Sequence, residues 1–291
     1  MKYLLLLLLP ILVSTKVLLQ GHYSKTKVRS LADIFYLMGL IFTAIAVITG
    51  IFFFRVIPSV GTVLFALVFG VANYVYQVSY CSALRTGPVS LTSIICNFNM
   101  VVNVPVGALI FKETIGIYQW IGFSLVAAAM ILLNKPSGES EKKANTKWLI
   151  LALLTMVTSG TTGVLQSTYG KFFPSAEKDS FIVISYIFAA LLCFATAILV
   201  KSKERQPFFT VNPKFLGGIA VIGTALSLYN LLIIEVQARG YFTSSVLFPV
   251  LSVLNFIMTL AASILFLKER IKLRQWIGVV VGIAAVVLMN L

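Results

Sequence analysis

Nine side chains that can hydrogen-bond or carry charge stand out within apolar stretches of this sequence: Lys16, Gln20, Tyr76, Gln77, Asn99, Gln166, Tyr229, Asn230 and Asn255. Amides and phenols donate and accept hydrogen bonds without fixed charge, a set suited to a polar, zwitterionic or sugar-like solute. Lys16 adds an ammonium that can meet a carboxylate or a phosphate. A polar group in an apolar environment costs free energy unless it is partnered. Such residues therefore line a wet cavity, or they bond helix to helix as Asn and Gln commonly do in membrane bundles; both readings stand. For Lys16 the second reading is snorkelling, because the first apolar run ends about five residues later.

Covalent chemistry is poorly supplied. The single histidine, His22, falls at the end of a run, and Asp33 and Asp179 both sit at breaks between runs. Cys81, Cys96 and Cys193 are scattered within apolar runs, which reads as packing and not as disulfides or metal ligands. There is no GxSxG nucleophile turn, no metal-ligand spacing and no Walker motif. An enzyme is not expected, and no cofactor or metal is implied.

The elements that must position these residues follow from composition. The chain has 291 residues, of which 59% are hydrophobic and 11% charged, with a mean hydropathy of +0.99. A soluble domain is about one quarter charged. This much apolar surface belongs in lipid, where a spanning helix needs roughly 20 mostly apolar residues. Ten such spans are expected, at about 3–21, 32–54, 60–83, 88–111, 117–134, 148–170, 180–200, 215–237, 242–266 and 274–291. They should be helices, since backbone groups in hydrocarbon need partners within the segment. The opening MKYLLLLLLP is read as the first span and not as a signal peptide, because no small-x-small cleavage site follows. Pro10, Pro105 and Pro249 are expected to interrupt helices, and kinks of that kind can act as hinges.

The sequence also says one thing twice. KETIGIYQWIG at 112–122 and KERIKLRQWIG at 268–278 share seven of eleven residues. At the same offset of 156, Asn99 meets Asn255, Ala128 meets Ala284 and Asn134 meets Asn290. Shorter offsets pair Tyr76 with Tyr229 and Gln77 with Asn230, and an offset of 146 pairs Gln20 with Gln166. The candidate residues thus come mostly as repeat-related pairs; Lys16, whose counterpart is Thr162, breaks the symmetry. The expected organisation is a five-helix unit at 1–134, a polar linker at 135–147 and a second five-helix unit at 148–291.

An odd number of spans makes the second unit enter the membrane from the opposite side, giving inverted repeats of the kind found in secondary transporters. Paired positions would then surround one site near the midplane. The breaks after spans 1, 3, 5, 7 and 9 carry 16 Lys and Arg against 6 on the other side. The positive-inside rule puts the first group in the cytoplasm and both termini outside. The net charge of +14 is thereby explained as a topology signal, and no nucleic-acid partner is expected.

The residues ALRTGPVSLTSII with FKETIGIYQWIGFSLVAAAMILLN, and FLKERIKLRQWIGVVVGIAAVVLMN, resemble the closing parts of two EamA-type domains. Such domains define ten-span members of the drug/metabolite transporter superfamily. The resemblance implies a basket of ten helices around a central cavity, worked by alternating access, in the cell membrane. It also implies termini on the cytoplasmic side, against the charge count. The proline usual near the middle of each fourth span is replaced here by Asn99 and Asn255. The expected function is secondary transport of a small polar metabolite, with a coupling proton or ion left open. The alternatives are a lipophilic-cation exporter, which in small relatives uses an acid in the first span where this chain has Lys16, and a non-transporting sensor or scaffold.

Overall fold

The computed structural model describes residues 2–86, 92, 95, 98–133, 146–204, 208–267 and 273–289. Ten helices appear among them. They are α1 (Lys2–Thr26), α2 (Leu31–Phe53), α3 (Val60–Thr86), α4 (Met100–Phe111), α5 (Ile117–Leu133), α6 (Thr146–Phe172), α7 (Lys178–Glu204), α8 (Pro213–Ala238), α9 (Ser244–Leu267) and α10 (Leu273–Met289). A short 3₁₀ helix, Ser175–Glu177, joins α6 to α7. The described residues contain no strand. Five helices are long and apolar enough to cross a membrane by length and composition alone. The chain is an all-α integral membrane protein built as two inverted five-helix repeats.

Helix ends are set by local chemistry. Ser30 caps α2 by accepting from Asp33 N–H, and the Asp33 carboxylate accepts from Ser30 N–H in return. Asn212 caps α8 the same way, accepting from Phe215 N–H at 2.8 Å with Pro213 in the first turn. α4 stops at Lys112, whose φ of 53° is left-handed, a position that usually falls to glycine.

Two expectations need correction. α1, α4 and α9 run through Pro10, Pro105 and Pro249 without interruption; neighbouring groups in a packed bundle can satisfy the carbonyls that proline frees. α1 also extends to Thr26, beyond the end read from hydropathy, because the polar residues after Gln20 still form helical turns. The fourth span is helical at Thr92 and Ile95, turns at Phe98–Asn99 and resumes at Met100. In that turn Val101 and Val102 donate three residues back, to Phe98 and Asn99 carbonyls, which is 3₁₀ geometry. Linker residues 135–145 and the basic residues 268–272 lie outside the described residues, while Thr146 and Lys147, read as linker, open α6.

Contacts between connections show the inversion. At one end, Glu177 meets Ser59 and Lys171 meets Glu113; this is the end of the loops after α2, α4, α6 and α8, here the even end. At the other, odd end, Asp33 pairs with Lys201, Trp148 Nε1 donates to Thr92 at 2.7 Å and Arg274 donates to the Ile131 carbonyl. α1 therefore runs from even end to odd end, and α6 runs the other way.

Packing follows the pseudo-twofold. α2 lies along α7 and α5 along α10, each against its own repeat counterpart. α3 packs on α6 and α7, as α8 packs on α1 and α2. Small residues permit the closest approaches: a Cβ at Gly39 would stand 2.7 Å from the Phe194 ring, and one at Gly122 would overlap Met289. One interface breaks the symmetry. α6 packs along α8, whereas α1 and α3 form no comparable interface among the described residues.

Candidate functional site

Polar side chains occupy the inward stripes of several helices. On α3 the buried stripe runs Ala66, Phe69, Asn73, Gln77 and Cys81, spaced three and four apart as a helix face requires. On α7 it runs Ile182, Tyr186, Ala189 and Cys193. On α1, Leu9 is fully buried and Gln20 is 6% exposed. Lys16, seven residues from the first and four from the second, shares their face.

In the second half these stripes close on one another. Gln166 Nε2 of α6 donates to Asn230 Oδ1 of α8 at 2.5 Å. Asn230 Nδ2 donates to Tyr186 Oη of α7 at 3.1 Å and to its own helix at the Leu226 carbonyl. Three helices are thus joined through one buried amide. The counterparts in the first half, Gln20 and Gln77, do not bond each other. Gln20 Nε2 donates to Met38 Sδ at 3.6 Å, a weak acceptor, and Gln77 Oε1 is buried with no partner.

The two pairs lie at different depths. Gln166 and Asn230 stand six and eight residues from the even ends of α6 and α8, about 9–12 Å along helices rising 1.5 Å per residue. Gln20 and Gln77 stand six and nine residues from the odd ends of α1 and α3. The structure places the paired amides at two levels, one toward each end.

Asn99 lies in the 3₁₀ turn of the fourth span, where its Nδ2 donates to Ser159 Oγ of α6 at 3.0 Å. Its Oδ1 and that of Asn255, midway along α9, are buried without partners. α4 seats against small residues of α6: a Cβ at Gly160 would meet Val102 at 2.5 Å, and one at Gly163 would meet Asn103 at 2.8 Å. Tyr76 stacks on Tyr80 with ring centroids 6.3 Å apart, and Tyr229 packs half-buried against the core. Lys16 is partly buried and lies within electrostatic range of the Cys81 thiol on α3. It is ten residues from the odd end of α1, about 15 Å, which is farther than a lysine side chain reaches.

Of the acids near helix ends, Glu113 and Glu177 fasten the two halves, and Glu235 ties α8 to α7 within the second. Glu113 binds Lys171 at 2.5 Å while Lys171 also sits 3.8 Å above the Phe111 ring, and Ser245 N–H donates to the other Glu113 oxygen. Glu235 holds Lys178 and Arg239. In the connection before α7, Glu177 accepts from Thr62 Oγ1, from Ser59 Oγ and from Ser59 N–H. These bonds, the Thr62 one foremost, hold the Glu177 carboxyl below the ordinary carboxylate range. No group of His, Cys, Asp and Glu able to hold a metal occurs among the described residues.

Tyr186, Ser159 and Glu177 were not singled out from sequence. The usable signal for Tyr186 was a phenol on the buried stripe of an otherwise apolar helix. Ser159 and Glu177 are visible only through partners more than fifty residues away.

The two halves match one family description separately: residues 1–135 and 146–291 each match the EamA-like transporter family. The chain belongs to the EamA-like transporter family. EamA-like membership makes it a multi-pass membrane transporter. Twenty-nine solved chains match this structure. One, titled only "Crystal structure of protein", superposes with a TM-score of 0.72 at 13% identity, over 99% of this chain and 98% of that one. At that identity the likeness shows the fold alone. No curated protein matches the sequence.

Proposed function

We infer that this EamA-like protein is a secondary transporter of the cell membrane that moves a small polar solute by alternating access. The working parts are the two units, 1–134 and 148–291, and the solute path lies between their inward stripes. One observation carries the reading. The Gln166–Asn230 bond toward the even end is made, and the equivalent Gln20–Gln77 bond toward the odd end is not. In an inverted repeat, one half closed and the other unclosed is one of two interchangeable arrangements.

The present arrangement is closed toward the even end by α6 and α8. In the other arrangement Gln20 meets Gln77, α1 approaches α3, and Asn230 releases Gln166. The unpartnered amide oxygens of Gln77, Asn99 and Asn255, with Tyr76 and Tyr229, offer hydrogen bonds to the solute between these states. A lipophilic-cation exporter fits less well, since Lys16 on the inward face repels such cargo.

The test is flux. Purified protein is screened for stabilising solutes by thermal shift, and each is then followed by counterflow in proteoliposomes. A Gln20→Cys/Gln77→Cys pair, oxidised to a disulfide, should stop counterflow and reduction should restore it. A solute that binds but never crosses the liposome membrane would end the transport reading.

A further inference from the structure

A charged lysine at membrane depth is costly unless it meets an opposite charge, backbone carbonyls, a wet cavity or the interface. The chain has nine acids, and those described sit at helix ends. Asp33 pairs with Lys201, Glu113 with Lys171 and Glu235 with Lys178; Glu177 lies in a connection, and Asp179 opens α7. The other four, Glu139, Glu141, Glu204 and Glu269, fall in or beside polar breaks of the sequence.

No acid among the described residues is on a stripe that faces Lys16. Among the described residues Lys16 makes no hydrogen bond and no ion pair; its one electrostatic neighbour is Cys81. One turn before Cys81 on the same α3 stripe is Gln77, 6% exposed, with its carbonyl oxygen unpartnered. α1 and α3 are the two helices that have not closed on each other. At the equivalent place in the closed half, Thr162 replaces Lys16 and spends its hydroxyl on the Ser159 carbonyl of its own helix. The charge is therefore particular to the half that is unclosed in this arrangement.

We propose that Lys16 and Gln77 form the recognition point for an anionic solute that also carries a hydroxyl or amino donor. Lys16 meets the carboxylate or phosphate, and Gln77 Oε1 accepts from the neighbouring O–H or N–H. The solute enters between α1 and α3 from the odd end and supplies the counter-charge that Lys16 lacks among the described residues. Paired with Lys16, it presents no net charge to the hydrocarbon as α1 and α3 close. This deepens, and rests on, the transport reading.

The experiment uses full-length protein in detergent and matched probes: L-lactate with lactamide, L-malate with malamide, glycerol 3-phosphate with glycerol, and glucose 6-phosphate with glucose. At least one anion should raise the thermal midpoint where its uncharged partner does not. The carboxylate and phosphate arms show which anion is taken. Lys16→Gln should weaken that anion by roughly tenfold or more, as loss of a charge-assisted bond implies, while Lys16→Arg, which keeps the charge, should weaken it less. Gln77→Leu should erase the preference for L-lactate over propionate, or for glycerol 3-phosphate over methyl phosphate. Unliganded midpoints of the variants report folding separately.

The proposal falls if no anion outperforms its neutral partner, or if Lys16→Gln and Lys16→Arg bind the anion equally well. Counterflow of a neutral solute, unchanged in Lys16→Gln, would overturn the anion assignment and leave transport intact. Anion binding without flux would do the reverse.

Discussion

Gln166 and Asn230 share a 2.5 Å hydrogen bond between α6 and α8, and Gln20 and Gln77, which occupy the same places in the other repeat, share none. The sequence distinguishes the two pairs by a single methylene, Asn230 against Gln77. The geometry distinguishes them by whether two helices have met.

Breaking the closed pair should cost stability in a coupled way. Asn230→Leu leaves Gln166 and Tyr186 unpartnered at once, and an orphaned buried group costs about 1–3 kcal/mol. Gln166→Leu should cost less, because Asn230 keeps Tyr186 and Leu226. The double variant should be milder than the sum by about 0.5 kcal/mol or more. Unfolding midpoints in detergent, read as a double-mutant cycle, check this; additive effects would deny the shared network.

The open pair should behave differently. Gln77→Leu removes an amide whose oxygen already lacks a partner, so thermal stability should hold or rise slightly, by about 1 kcal/mol at most. Counterflow should nonetheless fall, since the opposite closed state loses its bond. Loss of stability with intact flux would mean that Gln77 is a packing residue.

Glu177 makes a pH-dependent fastening. Its carboxyl is held below the ordinary range by Thr62 and Ser59, so the fastening is complete above that range and disappears as pH falls through the lowered value. Thr62→Val should bring the loss to higher pH, toward that of a free carboxylate. A fluorescence reporter on the α2–α3 connection, titrated with acid, reads the transition. Thr62→Val and wild type titrating alike would contradict it.

The small-residue seat of α4 on α6 should resist enlargement. Gly160→Ala places a methyl 2.5 Å from Val102 Cβ, and overpacking of this kind costs about 1–3 kcal/mol. Gly217→Ala on α8, where a Cβ meets nothing within 4 Å, is the matched control and should be neutral or stabilising. Equal midpoints for the two variants would rule out the seat.

The 16 to 6 division of basic residues predicts the odd end in the cytoplasm, against the termini that the family resemblance implies. A cysteine at Ser175, in the even-end 3₁₀ helix, should react with an impermeant maleimide on intact cells of a cysteine-free variant. One at Ser202, near the odd end of α7, should react only after permeabilisation. The reverse pattern would put the odd end outside.

The bundle was legible in sequence because its causes are local or repetitive. Apolar runs mark spans wherever lipid is the solvent, and Gln-Trp-Ile-Gly recurring after Lys-Glu marks the duplication. Depth was less legible. Hydropathy ended the first span before the polar turn through His22 and Tyr23, which the helix passes by several residues. Repeat pairing suggested one level for all the amides, yet it fixes only which positions are equivalent. It does not say how far each lies from the pseudo-twofold axis. Tyr186 escaped notice because a phenol in a chain with eleven tyrosines carries meaning only once its neighbours are known.

The fourth span and its counterpart are built unequally. One carries a 3₁₀ turn at Phe98–Asn99, and the other, α9, is unbroken helix from Ser244 to Leu267. A jointed lever and a stiff one do not flex at the same effort. In the alternating-access cycle proposed above, the forward and return strokes should therefore run at different speeds, so that a machine assembled from near-duplicate parts acquires a preferred gait.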